Sequence, residues 1–257
     1  MWLHRLAQTM ARSTYLLEAQ NFVRADSLIL NGHQTLPDLT FGVEAFDNVL
    51  TLNFGQFAVF QGNPAHALCM LLCVRATLPQ PLGPNCDAIF VDGGNNFDPY
   101  SISDNSIEQG LDPEKVLERL HISRAFTHHQ LASIITEKLP HAIEEFKAKL
   151  IVVSDITGLY CDPDVRDDDK DDSQRIFSKT VHTLRTLARQ HHCLIIATNL
   201  ERRNSQMERS LEYAAHVSLK IEQKPGLTRF TLLKHPHLLP CTTIAPMPGV
   251  KVLESYL

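Results

Sequence analysis

Residues 55–73 read GQFAVFQGNPAHALCMLLC, and the rest of the chain is organised around this stretch. The run GQFAVF at 55–60 is short and largely apolar, as a buried strand would be. Gly62 and Pro64 then mark a turn. The run LCMLLCVRATL, from Leu68 onward, is apolar at nearly every position, as a helix covered on all sides would be. Strand, tight turn and helix make the frame in which a loop of pattern G-x-x-x-x-G-K-[ST] cradles phosphates. Gly62 fills the first position of that pattern, but Ala67, Leu68 and Cys69 stand where Gly, Lys and Ser or Thr belong. The frame is present and its chemistry is not.

Further along, apolar runs alternate with amphipathic ones. CDAIFVDGG at 86–94 reads as a second buried strand ending in Asp92 and two glycines. DPEKVLERL has Asp112 as N-cap and Pro113 at the first helical position, so a helix starts there. HISRAFT at 121–127 is a third strand. A helix and part of a second are expected in the next segment, broken near Pro140. AKLIVVSDITGLY holds the clearest strand, Leu150 to Val153, followed by Ser154 and Asp155. After the acidic loop CDPDVRDDDKDDS come an amphipathic helix and the strand CLIIATN. The segment SLEYAAHVSLKIEQKPGLTRFTLLKH reads as two or three strands with a turn at Pro225-Gly226, antiparallel at one sheet edge. The expected class is α/β, with a mostly parallel central sheet covered by helices on both faces. Residues 1–36 read as an amphipathic helix and an extended arm, and 37–257 as the core domain.

Bulk properties bound the function. A chain of 257 residues can build a sizeable core. Its net charge of −5 and pI near 6.2 give no global attraction to nucleic acid or an anionic membrane. No run of about 18 apolar residues occurs, so no membrane span is expected. The basic N-terminal run has no continuous apolar stretch or small-residue cleavage site and reads as a helix, not a signal peptide. The six cysteines form no CxxC pair, and they read as reduced residues of a cytosolic (in a eukaryote, cytosolic or nuclear) protein. The histidine pairs at 128–129, 191–192 and 235/237 lack a Cys or carboxylate at ligand spacing, so no metal is expected.

Several segments, in this order, resemble the archaeal and eukaryotic RadA-type recombinases and their paralogues, which share the RecA-like ATPase core. FGVEAFDNVL is similar to the family's TGxxxLDxLL, and GQFAVFQG to its GxIxExxG strand. LERLHISRAFTHHQ is similar to xxARAFNxDHQ, KLIVVSDITGLY to the Walker B strand, and RTLARQHHCLIIATN to the segment ending in TNQ. HPHLLP loosely resembles the family's SPxLP turn. The resemblance covers roughly residues 20–245 and implies a RecA-like P-loop NTPase core. No counterpart of the family's N-terminal helix-hairpin-helix domain is expected.

In the family's register the phosphate-loop Lys is Leu68 and its Mg²⁺-holding Ser/Thr is Cys69. The Glu that activates water is Gly94, and the γ-phosphate-sensing Gln is Leu200. Asp155 of the Walker B strand is kept, and it reads more readily as a strand-end cap than as a residual metal ligand. Losing the Lys alone leaves a buried triphosphate with much of its charge unpaired, at a cost on the order of several kcal/mol. The expectation is therefore a degenerate ATPase, without ATP or Mg²⁺ as cofactor and with Gly62, Leu68, Cys69 and Asp155 as the remnant of a nucleotide site. FVRA at 22–25 matches the F-x-x-A motif by which these recombinases dock on a neighbour, with Phe22 and Ala25 in apolar pockets. The receiving strand in the family corresponds to Ser123 and Ala125. Phe22 packing on its own core is the other reading. For DNA, the first family loop is acidic here and would repel phosphate. The second, ERRNSQMERS, offers Arg202, Arg203 and Arg209, which also suit ordinary solvated surface.

These features imply an inactive recombinase paralogue, a structural or regulatory subunit in recombination or repair whose partner is itself or another RecA/RadA-type recombinase. Two alternatives remain: an ATP-dependent DNA-binding protein with a non-standard phosphate loop, and a RecA-fold scaffold unrelated to DNA.

Overall fold

The computed structural model describes residues 38–48, 50–161, 170–200, 205–224 and 227–246. The chain divides into two units, 1–36 and 37–257. Every described residue lies in the second. Phe22, Ala25, Arg202, Arg203 and most of the acidic loop lie outside the described residues.

Among the described residues the strands form one eight-stranded sheet. They are β1 (Phe57–Gln61), β2 (Ala88–Asp92), β3 (Leu120–Arg124), β4 (Leu150–Ser154), β5 (Leu194–Asn199), β6 (Val217–Lys224), β7 (Leu227–Lys234) and β8 (Cys241–Ala245). Five pairings are parallel and two antiparallel, β7 to each of its two neighbours. The spatial order is β3-β2-β4-β5-β1-β6-β7-β8. This is the expected mixed α/β class.

Side-chain alternation explains why the central strands are apolar at every position before their polar C-terminal ends. Phe57, Val59, Ile151, Val153, Ile195 and Ala197 enter one core. Their neighbours Ala58, Phe60, Leu150, Val152, Leu194 and Ile196 enter the other, on the opposite face. The first face is covered by α5 (His128–Ser133), α6 (Leu139–Phe146), α7 (Lys170–Gln190) and α8 (Ser205–Ala214). The second is covered by α1 (Glu44–Asp47), α2 (Ala65–Ala76), α3 (Pro99–Glu108) and α4 (Pro113–Leu117). Helix α2 packs between β4, β5 and α3 and buries Leu68, Cys69, Met70, Leu71, Leu72, Cys73 and Val74. Each Leu so buried contributes about 1.5–3 kcal/mol.

Some local expectations are corrected. Helix α2 begins at Ala65, three positions before the apolar run. Strand β3 ends at Arg124, so Ala125 lies just past it. Pro140 does not break its helix. The chain stays helical from His128 to Phe146 through a wide turn, Ile134–Lys138, in which the N–H of Leu139 donates to the Ile134 carbonyl. That widening lets the proline ring clear the preceding carbonyls, and Pro140 has no N–H to satisfy. SLEYA is the end of α8, not a strand, because Met207, Leu211 and Ala215 recur at helical spacing and are buried. Among the described residues no helix is long and apolar enough to cross a membrane.

His216 anchors the start of β1, its Nδ1 accepting from the Phe57 N–H at 2.9 Å. Burial, then the charges of Arg185, Arg189 and Lys234, hold its pKa below the ordinary 6.5. The unfolded chain therefore binds more protons than the folded one as pH falls through that value, and folding stability falls with it. Urea denaturation of wild type and His216→Gln between about pH 7 and pH 5 checks this. The wild type is expected to lose more stability over that window than the variant.

Candidate functional site

The C-terminal ends of β1, β2, β4 and β5 converge where an open α/β sheet usually binds ligands. At the end of β1, Gly62 has φ +107° and donates its N–H to the Asn199 carbonyl at 3.0 Å. A Cβ on Gly62 would lie 2.1 Å from the carbonyl oxygen of Ile221 in β6. Glycine is required here because two strand backbones close on it, a reason independent of any phosphate. The chain then enters α2 at once. Ala65 N–H donates to the Gly62 carbonyl at 3.1 Å, and Leu68 N–H to that of Pro64 at 3.2 Å. Of the four residues that would form the bowl of a phosphate loop, Ala65 and His66 are already helical.

Leu68 and Cys69 are each 0% exposed and point into the core. Burial, and secondarily Cys73, push the Cys69 thiol well above its ordinary 9.0, so it is a neutral apolar group. Burial likewise takes Cys73 up to about 12.

The end of β2 carries a feature that sequence reading passed over. Asp92 is 1% exposed. Its Oδ1 accepts from the N–H of Asn96 at 2.9 Å and from Ser154 Oγ at 3.1 Å, and its Oδ2 accepts from the N–H of Phe97 at 3.1 Å. Arg124 Nε lies 3.6 Å from Oδ2. The carboxylate ties down the turn after β2, and Asn96 Nδ2 donates to Ser154 Oγ at 3.3 Å. A Cβ on Gly94 would lie 2.2 Å from Asn96 Nδ2 and 2.8 Å from Asp155 Cβ. The amide of Asn96 occupies the volume that a side chain at position 94 would need. The available signal was an acid at the end of an apolar strand, where a buried carboxylate must find donors.

Asp155 is 3% exposed with φ +46°, and its N–H donates to Thr198 Oγ1 at 2.9 Å. Ile156 N–H donates to the Thr198 carbonyl at 3.0 Å, and the Thr157 hydroxyl donates to Asn199 Oδ1. The Walker B and TN segments are thus cross-linked by their own polar groups. Among the described residues no group of three or more His, Cys, Asp or Glu is placed to hold a metal ion.

The other candidate residues lie apart. Among the described residues strand β3 pairs only with β2, and its outer edge is open. Ser123 is half-buried on it. Ala125 is 5% exposed, packs in the first-face core and donates its N–H to the Asp92 carbonyl at 3.0 Å. Ile122 is 46% and Phe126 72% exposed beside them. Arg209, expected on a loop, is exposed on α8.

Gly62→Ala and Gly94→Glu are each expected to destabilise the fold by at least about 2 kcal/mol, from backbone overlap and from eviction of Asn96. Chemical denaturation with an unchanged m-value measures the loss.

The sequence matches the Rad51 family model over residues 29–220. It is 25% identical over 184 residues to the "DNA repair and recombination protein RadA" of Cenarchaeum symbiosum, covering 67% of this chain and 45% of the relative. It is 28% identical over 174 residues to the protein of the same description from Aeropyrum pernix, covering 66% of this chain and 52% of the relative. The chain thus spans about half the length of the curated relatives it matches. Matched over most of its length by that model, and built on a mostly parallel α/β sheet, the chain belongs to the Rad51 family.

Proposed function

We propose that this chain is a catalytically silent member of its family, a structural or regulatory subunit in homologous recombination or DNA repair that neither hydrolyses ATP nor needs it as a cofactor. The observation that carries this reading is the filled space at the strand ends. Where the family pattern places Lys and Ser/Thr, Leu68 and Cys69 are sealed in the core. Where it places the water-activating Glu, the amide of Asn96 lies against Gly94. Binding a triphosphate there would mean unwinding the first turn of α2 and exposing apolar side chains, with no cation supplied in return.

The retained function is assembly. The open edge of β3 can accept an extended segment by strand addition. Exposed Ile122 and Phe126 offer apolar contact beside that edge. The arm motif at Phe22 and Ala25 is the matching donor, from a second copy or from another RecA/RadA-type recombinase. The relatives' descriptions name DNA repair and recombination, and that process is the one assigned here.

A thermal-shift measurement with Mg-ATP tests the silent site. A nucleotide at about a hundredfold excess over its Kd would add about 2.7 kcal/mol of stability. No such rise in Tm is expected, and a clear one overturns the reading. For the interface, light scattering of Phe22→Glu and Ile122→Glu should show reduced assembly relative to wild type, alone or mixed with a partner recombinase. Unchanged assembly in both variants removes the interface.

A further inference from the structure

Helix α3 packs on α2 and α4 and buries Ile102, Asn105 and Ser106. Its other side is turned outward. Tyr100, Asp104 and Ile107 recur at helical spacing and share that side. Tyr100 is 80% exposed and Ile107 is 65% exposed. A helix that covers a core keeps its apolar residues on the covered side. Here an aromatic and a β-branched side chain stand about two turns apart on the uncovered side. Apolar groups grouped in this way, and rimmed by polar ones, mark a contact surface.

Acids form the rim. Between Asp98 and Glu118 the chain carries Asp98, Asp104, Glu108, Asp112, Glu114 and Glu118, all exposed, and the single base Lys115. Lys115 is held by Asp112 at 3.8 Å. The next base, Arg119, is bonded to Asp87 at 2.8 Å and to the Thr77 carbonyl at 3.1 Å. Asn105 adds an acceptor on the same helix. It is 7% exposed, its Nδ2 donates back to the Ser101 carbonyl at 2.7 Å, and its Oδ1 has no hydrogen-bond partner among the described residues. Carboxylates and an open amide oxygen are all acceptors, and a Lys or Arg side chain supplies only donors.

We propose that the outer side of α3 is a docking surface for a basic segment of a partner protein that carries apolar anchors, with its cations on Asp104 and the neighbouring acids and its anchors on Tyr100 and Ile107. Charge decides among the occupants. Nucleic acid would be repelled by the carboxylates. A second copy meeting this face across a two-fold axis would bring like charges together. A purely apolar partner would desolvate the carboxylates and offer no counter-charge. A basic segment with apolar anchors answers both features, and the Tyr100 ring adds a face for a cation. This surface uses neither the remnant of the nucleotide site nor the edge of β3.

Fluorescence anisotropy of the full chain with a labelled amphipathic peptide of Lys and Leu, about four helical turns long, tests it across a salt series. A Lys-only peptide and a peptide with Gln for every Lys are the controls. The Lys/Leu peptide should bind, less tightly as salt rises, and each control should bind at least roughly tenfold more weakly. Tyr100→Ser and Ile107→Ser should each weaken binding roughly tenfold with the salt dependence unchanged, because each removes apolar contact alone. Asp104→Asn should weaken binding and flatten the salt dependence. All three side chains are exposed, so the variants should keep the wild-type Tm. Asp171→Asn combined with Asp172→Asn, in the other acidic stretch, should bind like wild type. The proposal is overturned by any of five results: no binding of the Lys/Leu peptide at low salt; equal binding of the Lys-only peptide; binding unchanged in both Tyr100→Ser and Ile107→Ser; loss of binding in the Asp171 and Asp172 variant; or self-association of the wild type, in sedimentation, that Ile107→Ser abolishes.

Discussion

Burial of the parallel sheet on both faces is the constraint on which the rest of this structure depends. In β1, β2, β4 and β5, side chains alternate between two cores, so each strand must be apolar along its length up to its C-terminal one or two residues. One consequence is that α2, pressed between strands and α3, buries all its residues but His66, Ala67 and Arg75, which are half-buried. In such a helix nearly every position is a packing position. A leucine and a cysteine at its fourth and fifth residues extend the core, and the same sites cannot also carry a solvated cation and a metal-binding hydroxyl.

Where the strands end, the constraint changes from apolar packing to satisfaction of polar groups. Asp92, Asn96, Ser154, Asp155, Thr157, Thr198 and Asn199 meet in a small volume and largely bond one another. Gly62 and Gly94 let backbone and side chains approach to distances that a Cβ would forbid. A ligand there would have to replace bonds already made between protein groups. The polar ends of the sheet therefore act as a clasp that fixes the strands relative to one another.

Regular structure stops at two other places. Among the described residues strand β3 has an unpaired edge with apolar side chains beside it. At the other end of the sheet, the extra residue in β7 turns Leu233 and Lys234 toward α8. Both are consequences of how strands pair.

The sequence by itself determined the alternation of apolar strands and amphipathic helices, hence the class of fold, because periodicity is a local property of the chain. It also determined the identities at 68, 69, 94 and 200, since register along a motif needs no coordinates. It missed α8, because a polar loop composition in ERRNSQMERS masked the buried spacing of Met207 and Leu211. It broke a helix at Pro140 that the chain instead widens, because an isolated proline rule does not know what packs around it. The tertiary structure alone decided that Gly62 serves strand contact with Ile221, that Asn96 fills the space beside Gly94, and that Lys234 and Arg209, far apart in sequence, face one groove. Each depends on distances between segments that the chain brings together only on folding, and no spacing along the sequence encodes them.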